Sequence, residues 1–357
     1  MNVTFLIGNG FDLNAGLETT YSAFLKHYVT LESDSDVLKY FKESILKDAN
    51  MWSNAEMAFG AATQQFKADL YTAEDFCICH EDFCIQLAKY LQEQEQRLHY
   101  TALKDTIAKG FAKGLLGYKK GFREAEAAVI SASENAFSGG YHFQFISFNY
   151  TAVVGMCHQF LKERFPLLGK RSHGNLLHDN TCEKLMYVHG TVDRDMVLGV
   201  NDIGQIADTS LFENYDDEYI NELIKQKTNE ANEQNMDRKV LEVLKASDLI
   251  YIYGMSIGET DKLWWERICT LMAQKNNLHL IIHRFDAPED GLIRRTFRLF
   301  TSQAKREFTA YSKLDADKKK EIEARIHIDR TNIFSDLKGI VNSSANTVAK
   351  SNVGITA

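Results

Sequence analysis

The sequence predicts an α/β fold with a mainly parallel sheet and a large helical insertion after the first strand. Short apolar segments near residues 3–7, 143–148, 185–188, 249–253 and 278–282 are strand candidates, and 324–328 adds a sixth. Helical patterns separate these segments, and alternation of strands and helices is typical of parallel sheets. The first strand also ends in a glycine-containing turn. Together these observations favour a Rossmann-like architecture.

The first strand candidate, 3–7, runs directly into the turn GNGFD at 8–12. Two glycines around one residue allow positive φ and remove Cβ atoms where a phosphate or ribose approaches the backbone. The dinucleotide fingerprint has a third glycine three residues after Gly10, but Leu13 stands there. We place the next helix from about Tyr21, too far along the chain to be the sole phosphate cradle. The turn is therefore either a nucleotide-binding turn or an ordinary tight β-to-α turn.

The long interval after the first turn is almost entirely helix-forming. Apolar residues recur there at spacings of three and four, which is the period of an amphipathic helix. We therefore assign residues 22–139 to an inserted helical module that roofs the site. Residues 1–21 and 140–340 form the Rossmann-like nucleotide-binding domain in this interpretation, and the small polar residues 341–357 form a frayed tail.

Later strand candidates are followed by polar residues of chemical use. The strands at 143–148 and 185–188 lead to Asn149 and to His189, and another strand leads into the segment GMSIGETD at 254–261. In an open α/β sheet, ligands bind in the crevice beyond the carboxyl ends of the strands. We therefore expect these segments to converge with the first turn in one site.

Taken together, these motifs resemble the AbiH family of bacteriophage abortive-infection proteins. The matching segments are LIGNGFDLNAGLETTYSAF at 6–24, WSNAE at 52–56, FNYT at 148–151, VHG at 188–190, LGVND at 198–202 and YGMSIGETDKLWW at 253–265. The resemblance implies a role in phage defence, in which a phage-derived trigger or a host protein is the partner.

The layout is also similar, more remotely, to the sirtuin-type NAD-binding fold, which implies NAD as ligand or substrate. On this resemblance the nucleotide-binding residues are Gly8, Asn9, Gly10, Phe11, Gly190, Gly254, Met255, Ser256 and Asp261. Sirtuin deacylases carry a zinc module with paired Cys-x-x-Cys motifs, and this sequence contains no Cys-x-x-Cys. The departure removes support for a deacylase and leaves cleavage of NAD, which needs no peptide groove.

Asn149, His189 and Asp12 are the catalytic candidates for such a cleavage. Breaking the nicotinamide glycosidic bond creates an oxocarbenium-like centre, which requires a held water and stabilising dipoles. An amide can hold water, an imidazole can take its proton near neutral pH, and an aspartate can orient either group or bind a ribose hydroxyl. The sequence leaves open that Asn149 is a turn or cap residue, His189 a structural histidine and Asp12 a local turn former.

The segment FCICHEDFC at 76–84 places Cys77, His80 and Cys84 on one face of a helix. We predict no metal site there, because three ligands on one helix need a fourth from elsewhere and the spacing fits no common zinc pattern. Cysteine is also a frequent small residue of apolar cores.

Composition favours a cytoplasmic protein. The formal charge of −8 argues against a broad nucleic-acid footprint, and no apolar run reaches the roughly 18 residues of a membrane span. The N-terminus enters the first strand directly, without the pattern of a signal peptide. Six cysteines without framework spacing fit a reducing compartment. A homo-oligomer is compatible with these features.

Two further segments have open roles. Trp52 and Glu56 are spaced i,i+4, so either both face the cleft or the ring is buried with Glu56 solvated. The polar segment 213–239 is a candidate lid or partner-facing helix.

Three functions remain from the sequence. The first is hydrolysis of NAD to nicotinamide and ADP-ribose. The second is a non-catalytic sensor of NAD or an ADP-ribose-type nucleotide that acts through a protein partner. The third is a metal-dependent nuclease. It has little support, because the sequence shows no tight cluster of Asp, Glu and His residues of the nuclease type.

Overall fold

The strands of the computed structural model lie within residues 1–232, 235–287 and 295–342, which are the residues that the structure describes. They are β1 (Asn2–Ile7), β2 (His142–Ser147), β3 (Lys170–His173), β4 (Leu176–Asp179), β5 (Thr181–Tyr187), β6 (Leu249–Tyr253), β7 (His279–His283) and β8 (Ile326–Asp329). All six strand candidates of the sequence are confirmed. The short β3 and β4, which pair antiparallel, were not predicted.

Helices connect the strands in nearly every interval. They are α1 (Gly10–Ala15), α2 (Tyr21–Tyr28), α3 (Asp36–Lys47), α4 (Ala49–Trp52), α5 (Ala55–Ala68), α6 (Ala73–Gln96), α7 (Tyr100–Leu116), α8 (Glu124–Asn135), α9 (Val153–Arg164), α10 (Asp217–Asn221), α11 (Lys225–Ala231), α12 (Met236–Ala246), α13 (Lys262–Gln274), α14 (Arg295–Ala310) and α15 (Ala316–Glu323). Short 3-10 helices lie at Ile203–Gln205, Thr209–Phe212, Glu259–Asp261 and Ser335–Leu337. No helix in the described ranges is both long and apolar enough to cross a membrane.

The central sheet has the strand order β5-β2-β1-β6-β7-β8, and each neighbouring pair is parallel. Numbered by their order along the chain, these six strands run 3-2-1-4-5-6, the order of dinucleotide-binding doubly wound sheets. The Rossmann-like prediction is therefore confirmed. The order of strands reverses between β1 and β6, which is where ligands bind in this architecture.

Helix α1 departs from the sequence prediction, which placed the first helix from about Tyr21. The chain turns into α1 at Gly10, and this six-residue helix ends at Gly16, which adopts a φ of 95°. A left-handed residue after a helix is a common glycine stop signal. So short a helix with one buried face carries too little periodicity to be recognised in the sequence.

Side chains of β1 alternate between the two faces of the sheet, as the two-residue period of a strand requires. Val3, Phe5 and Ile7 pack on one face with α7 and α9, whereas Leu6 packs on the other face with α12, α13 and α14. Phe5 stacks on Phe145 of β2, with ring centroids 5.9 Å apart. The strand that carries the first turn is thus buried on both sides, and its carboxyl end is held in place.

A separate core lies in the helices above the sheet. It joins apolar residues of α2 to α6 with residues of the interval 198–224, and we call this unit the helical cap. Helices α7 and α8, which also fall in 22–139, instead pack against the sheet. Val341 is buried in the sheet core. The predicted tail beyond it, from residue 343, lies outside the described residues.

Candidate functional site

A cavity of about 340 Å³ lies between the carboxyl ends of β1, β2 and β6 and the helical cap. Its lining comprises Gly8, Asn9, Asp12, Thr19, Thr20, Tyr21, Ser53, Asn54, Glu56, Leu87, Leu91, Phe148, Asn149, Tyr150, Thr151, Gly254, Met255, Ser256, Thr260 and Asp261. The turns after these strands form one wall, and the cap forms the other. The cavity therefore occupies the crevice where the strand order reverses.

The glycines of the first turn allow it to pack closely against the turn after β6. Gly10 N donates to Gly254 O at 2.8 Å, and a Cβ added to Gly10 would lie 2.5 Å from Gly254 Cα. A Cβ on Gly8 would lie 2.5 Å from Met255 Cγ. In the described residues, positive φ occurs at Gly254 but not at Gly8 or Gly10. The glycines are needed because the turns after β1 and β6 touch backbone to backbone.

The predicted nucleotide-binding residues separate into two groups. Those on the cavity lining are Gly8, Asn9, Gly254, Met255, Ser256 and Asp261, whereas Gly10, Phe11 and Gly190 are not part of it. Phe11 is a correction: its ring packs edge-on against Phe334 in the sheet core, at a centroid distance of 5.1 Å. It is the second residue of α1, and the helix turns its side chain toward the core.

Gly190 and Asn9 also have structural roles, one in a tight turn and the other in hydrogen bonds within the chain. Gly190 has a φ of 68°, and a Cβ there would lie 1.9 Å from Asp195 O, so the position requires glycine for a tight turn. Asn9 Nδ2 donates to Thr19 O at 3.0 Å, and the Thr19 hydroxyl donates to Asn9 Oδ1. Both ends of the Asn9 amide therefore fasten the rim of the cavity to the chain leading into α2.

Asp12 lies at the floor of the cavity and organises two residues after β2. Asn149 Nδ2 donates to Asp12 Oδ1 at 3.0 Å, and the Thr151 hydroxyl donates to Asp12 Oδ2 at 2.6 Å. Burial raises the pKa of Asp12 to about 7, although the bonds from Thr151 and Asn149 act in the opposite direction. Asn149 Oδ1 is buried and has no protein partner. Thr151 was missed as a site residue, although it stands within the FNYT segment.

His189 follows β5 and runs next to the chain after β2, because Val188 N donates to Ser147 O at 2.9 Å. Its ring lies near those of Phe148 and Tyr150, at centroid distances of 5.7 Å and 6.3 Å. The imidazole is 5% exposed and stands behind the cavity wall. Its Nε2 is 3.8 Å from Asp261 Oδ1, an ion-pair distance that is too long for a hydrogen bond. Its Nδ1 is buried without a partner.

Asp261 connects His189 to the cavity. Burial acts to raise the pKa of Asp261, but the neighbouring imidazole and the charge of Lys225 outweigh it, so the pKa is lowered. A carboxylate that stays charged beside His189 can orient the ring and stabilise its protonated form. The geometry thus gives Asp261 an electrostatic partner in addition to its place on the lining.

On the cap side, Glu56 faces the cavity and Trp52 does not. Trp52 is fully buried among aromatic rings of the cap, whereas Glu56 is 8% exposed and lines the cavity. Lys225 Nζ donates to Glu56 Oε2 at 2.6 Å, and the hydroxyls of Tyr21 and Tyr150 lie 3.3 Å and 3.0 Å from Oε1. The sequence left two arrangements open, and the structure matches neither in full. The Trp52 ring is buried, as in the second arrangement, but Glu56 faces the cavity instead of solvent.

Lys225 was missed because no motif surrounds it. It is the first residue of α11, in the segment 213–239 that was a candidate lid, and it is 3% exposed.

The two tyrosines that contact Glu56 stay protonated. Burial and the neighbouring Glu56 raise the pKa of the Tyr21 hydroxyl. Burial and neighbouring groups, Tyr21 and Glu56 among them, do the same for Tyr150. Both tyrosines therefore remain protonated donors at neutral pH.

The cysteine-rich face of α6 packs inside the cap. His80 Nε2 donates to Leu198 O at 3.0 Å, and Cys84 Sγ lies 3.8 Å from the same nitrogen. Burial lowers the pKa of His80 to about 4 and raises the pKa of Cys84 to about 12. In the part of the chain that the structure describes, no three His, Cys, Asp or Glu side chains are grouped to hold a metal ion.

Comparison with known proteins agrees with the resemblance of the motifs. The family model described as "Bacteriophage abortive infection AbiH" matches residues 4–283. No curated protein matches the chain. The matched segment contains most of β1, the strands β2 to β7, the helical cap and both walls of the cavity.

Proposed function

Because the chain belongs to the AbiH family of bacteriophage abortive-infection proteins, we propose that it acts in phage defence by binding NAD and hydrolysing it to nicotinamide and ADP-ribose. One observation carries the proposal. Asn149 Oδ1 is buried without a protein partner on the lining of the cavity at the strand-order reversal, and His189, whose Nδ1 is also buried without a partner, lies directly behind the lining residue Asp261. Buried polar atoms are normally hydrogen-bonded, so an unsatisfied amide oxygen on a cavity lining indicates a group that binds a ligand or water.

The cavity suits a nucleotide in position and size. It lies at the switch point of a 3-2-1-4-5-6 sheet, where dinucleotides bind in this architecture. Its volume of about 340 Å³ is within the range of small-molecule sites. Leu87 and Leu91 give it an apolar side on the cap, which can cover a ring of the ligand.

Asn149 is assigned to hold the attacking water. Since Asp12 Oδ1 accepts from its Nδ2, the amide is oriented with Oδ1 left to accept a hydrogen bond. Thr151 holds the other oxygen of Asp12, which fixes the carboxylate in turn. Asp12 is thus a positioning residue in this mechanism.

The reaction breaks the bond between C1′ of the ribose and the nicotinamide nitrogen, and the electron pair leaves with that nitrogen. The oxygen of the held water bonds to the oxocarbenium-like C1′, and a proton of that water passes by way of Asp261, which lines the cavity, to His189. Asp261 stabilises the resulting imidazolium. The products are nicotinamide, ADP-ribose and one proton.

The test is hydrolysis of NAD by the purified protein, with and without lysate of phage-infected cells as a source of the trigger. Asn149→Ala and His189→Ala should each lower kcat by roughly 10²–10⁴-fold, the usual contribution of such groups. Asn50→Ala, on an exposed position of α4, and His99→Ala, on the exposed residue before α7, are matched controls and should leave turnover unchanged. Turnover that persists in both site variants would remove the proposed mechanism.

A nucleotide sensor is the second candidate, and the position of His189 favours it. The imidazole stands behind Asp261 and is not part of the cavity lining, so a ligand can bind without proton transfer. A sensor predicts calorimetric binding of NAD or ADP-ribose with no product after hours, and a signal passed to a protein partner.

A further inference from the structure

Glu56 places a carboxylate on the cavity lining, and the mechanism above does not use it. It lies in the first turn of α5, and its side chain is almost entirely enclosed by protein. The hydroxyl of Tyr150 lies 3.0 Å from Glu56 Oε1 and 3.1 Å from Val197 O, so it donates to one of these two oxygens. A carboxylate offers about four acceptor sites, which leaves room for a ligand hydroxyl.

Glu56 lies on the cap wall, but a side chain of the strand-end wall links it to the proposed reacting groups. Tyr150 connects them, because its ring centroid is 6.3 Å from that of His189 and its hydroxyl reaches Glu56. Asn149 is the preceding residue. Lys225, the ion-pair partner of Glu56, also acts electrostatically on Asp261. The cap carboxylate and the strand-end residues therefore surround one corner of the cavity.

In the ion pair of Glu56 and Lys225, it is the negatively charged carboxylate that faces this corner of the cavity. Glu56 is on the cavity lining, whereas Lys225 is not, so the ammonium lies behind the carboxylate. Lys225 and the tyrosine hydroxyls also donate to the carboxylate oxygens, which makes Glu56 a weak nucleophile. A fixed negative charge of this kind favours positive charge that develops nearby in a transition state.

We propose that Glu56 is a further catalytic residue, whose carboxylate contacts the ribose at the nicotinamide end and stabilises the positive charge that develops at C1′. This role rests on the proposed function. No bond forms to Glu56: the electron pair of the broken bond leaves with nicotinamide, the water oxygen bonds to C1′, and the water proton passes to His189. Charged hydrogen-bond partners of this kind strengthen as a sugar approaches its oxocarbenium-like state.

The test is Glu56→Gln, which keeps the shape of the side chain and removes its charge. Its kcat should fall by about 10²–10³-fold, the typical loss for an electrostatic group. KM and the calorimetric affinity for NAD should change little, since the interaction is stronger in the transition state than in the bound ground state. Glu43→Gln, on the exposed side of α3, removes the same charge and should behave as wild type.

A double variant separates chemistry from folding. Glu56→Gln with Lys225→Met replaces the buried ion pair by a neutral pair, so its melting temperature should exceed that of Lys225→Met, while hydrolysis should stay as low as in Glu56→Gln. Wild-type turnover in either Glu56 variant would overturn the role of Glu56. If that turnover coexists with an inactive Asn149→Ala, the proposed function survives; if wild type does not hydrolyse NAD in any condition, both proposals fall.

Discussion

The two walls of the cavity differ in how their polar groups are used. On the strand-end wall, formed by the turns after β1, β2, β5 and β6, Asn149 and His189 each keep a buried atom without a partner. On the cap wall, Glu56 is satisfied by Lys225 and by tyrosine hydroxyls. The comparison teaches that the strand ends keep buried polar atoms without a protein partner, whereas the cap supplies a charge that is already paired.

Lys225→Met, which breaks the ion pair of the cap wall, should cause the largest loss of stability. Removing one partner of a buried ion pair typically costs about 3–5 kcal/mol, because the remaining charge stays buried and unpaired. We expect a loss of that size in the free energy of unfolding, measured by urea or thermal denaturation. Lys227→Met, two residues along α11 on an exposed position, should change stability by less than about 0.5 kcal/mol. Equal losses in the two variants would show that the pair is not the stabilising feature.

Asp12→Asn tests the strand-end wall through pH. Burial raises the pKa of Asp12 to about 7, above its value of 3.8 in an unfolded chain. Between these values the folded protein binds the extra proton, so the contribution of Asp12 to stability decreases as pH rises through 7. From pH 5 to pH 8, wild type should lose about 2–3 kcal/mol relative to Asp12→Asn, at roughly 1.4 kcal/mol per pH unit.

Denaturation of both proteins across that pH range measures the difference, and it cancels the titration of groups that they share. Asp34→Asn, on an exposed position near α3, is the matched control and should follow wild type at each pH. A stability difference between wild type and Asp12→Asn that does not vary with pH would mean that Asp12 is not protonated in the folded protein.

Gly10→Ala tests how the strand-end wall is built. The added methyl group would meet the backbone of Gly254 at 2.5 Å, and backbone cannot move aside as a flexible side chain can. We expect a loss of about 1–3 kcal/mol in stability, as for other overpacked positions. Gly139→Ala meets nothing within 4 Å and should be neutral in the same thermal melt. Unchanged stability in Gly10→Ala would show that the two turns tolerate separation.

The smallest expected effect lies far from the cavity, at the start of α6. Thr72 and Asp75 form a reciprocal capping box there. Thr72→Ala should cost about 0.5–2 kcal/mol and leave NAD turnover unchanged, whereas Thr72→Ser should retain most of the stability. A loss of turnover in Thr72→Ala would show that the geometry of the cap wall depends on how the start of α6 is capped.

Much of the strand-end wall was predictable, because each parallel strand carries its own apolar signal and all six strands end at one edge. Asn149 and His189 are 40 positions apart in the numbering, yet both follow the carboxyl ends of adjacent parallel strands. The catalytic roles assigned to them stay predictions. The failures have local causes: α1 is too short to show a period, and it turned Phe11 into the core instead of the cavity.

The cap wall was much less predictable. Glu56 was recognised as a residue of interest through its spacing from Trp52, but its orientation depends on how five helices pack together. Lys225 is one lysine among many in the sequence, and its burial follows from the path of residues 198–224 around the cap. The sequence records which side chains a helix carries, while tertiary packing decides which of them reach the cavity.

The contact between Gly10 and Gly254 has a mechanical consequence. Since the backbones of these turns already touch, no space is left between them and neither turn can move toward the other. Pressure on either turn is therefore shared by α1 and by the chain entering α13, on opposite faces of the sheet. The contact therefore links the two layers of helices that flank the sheet.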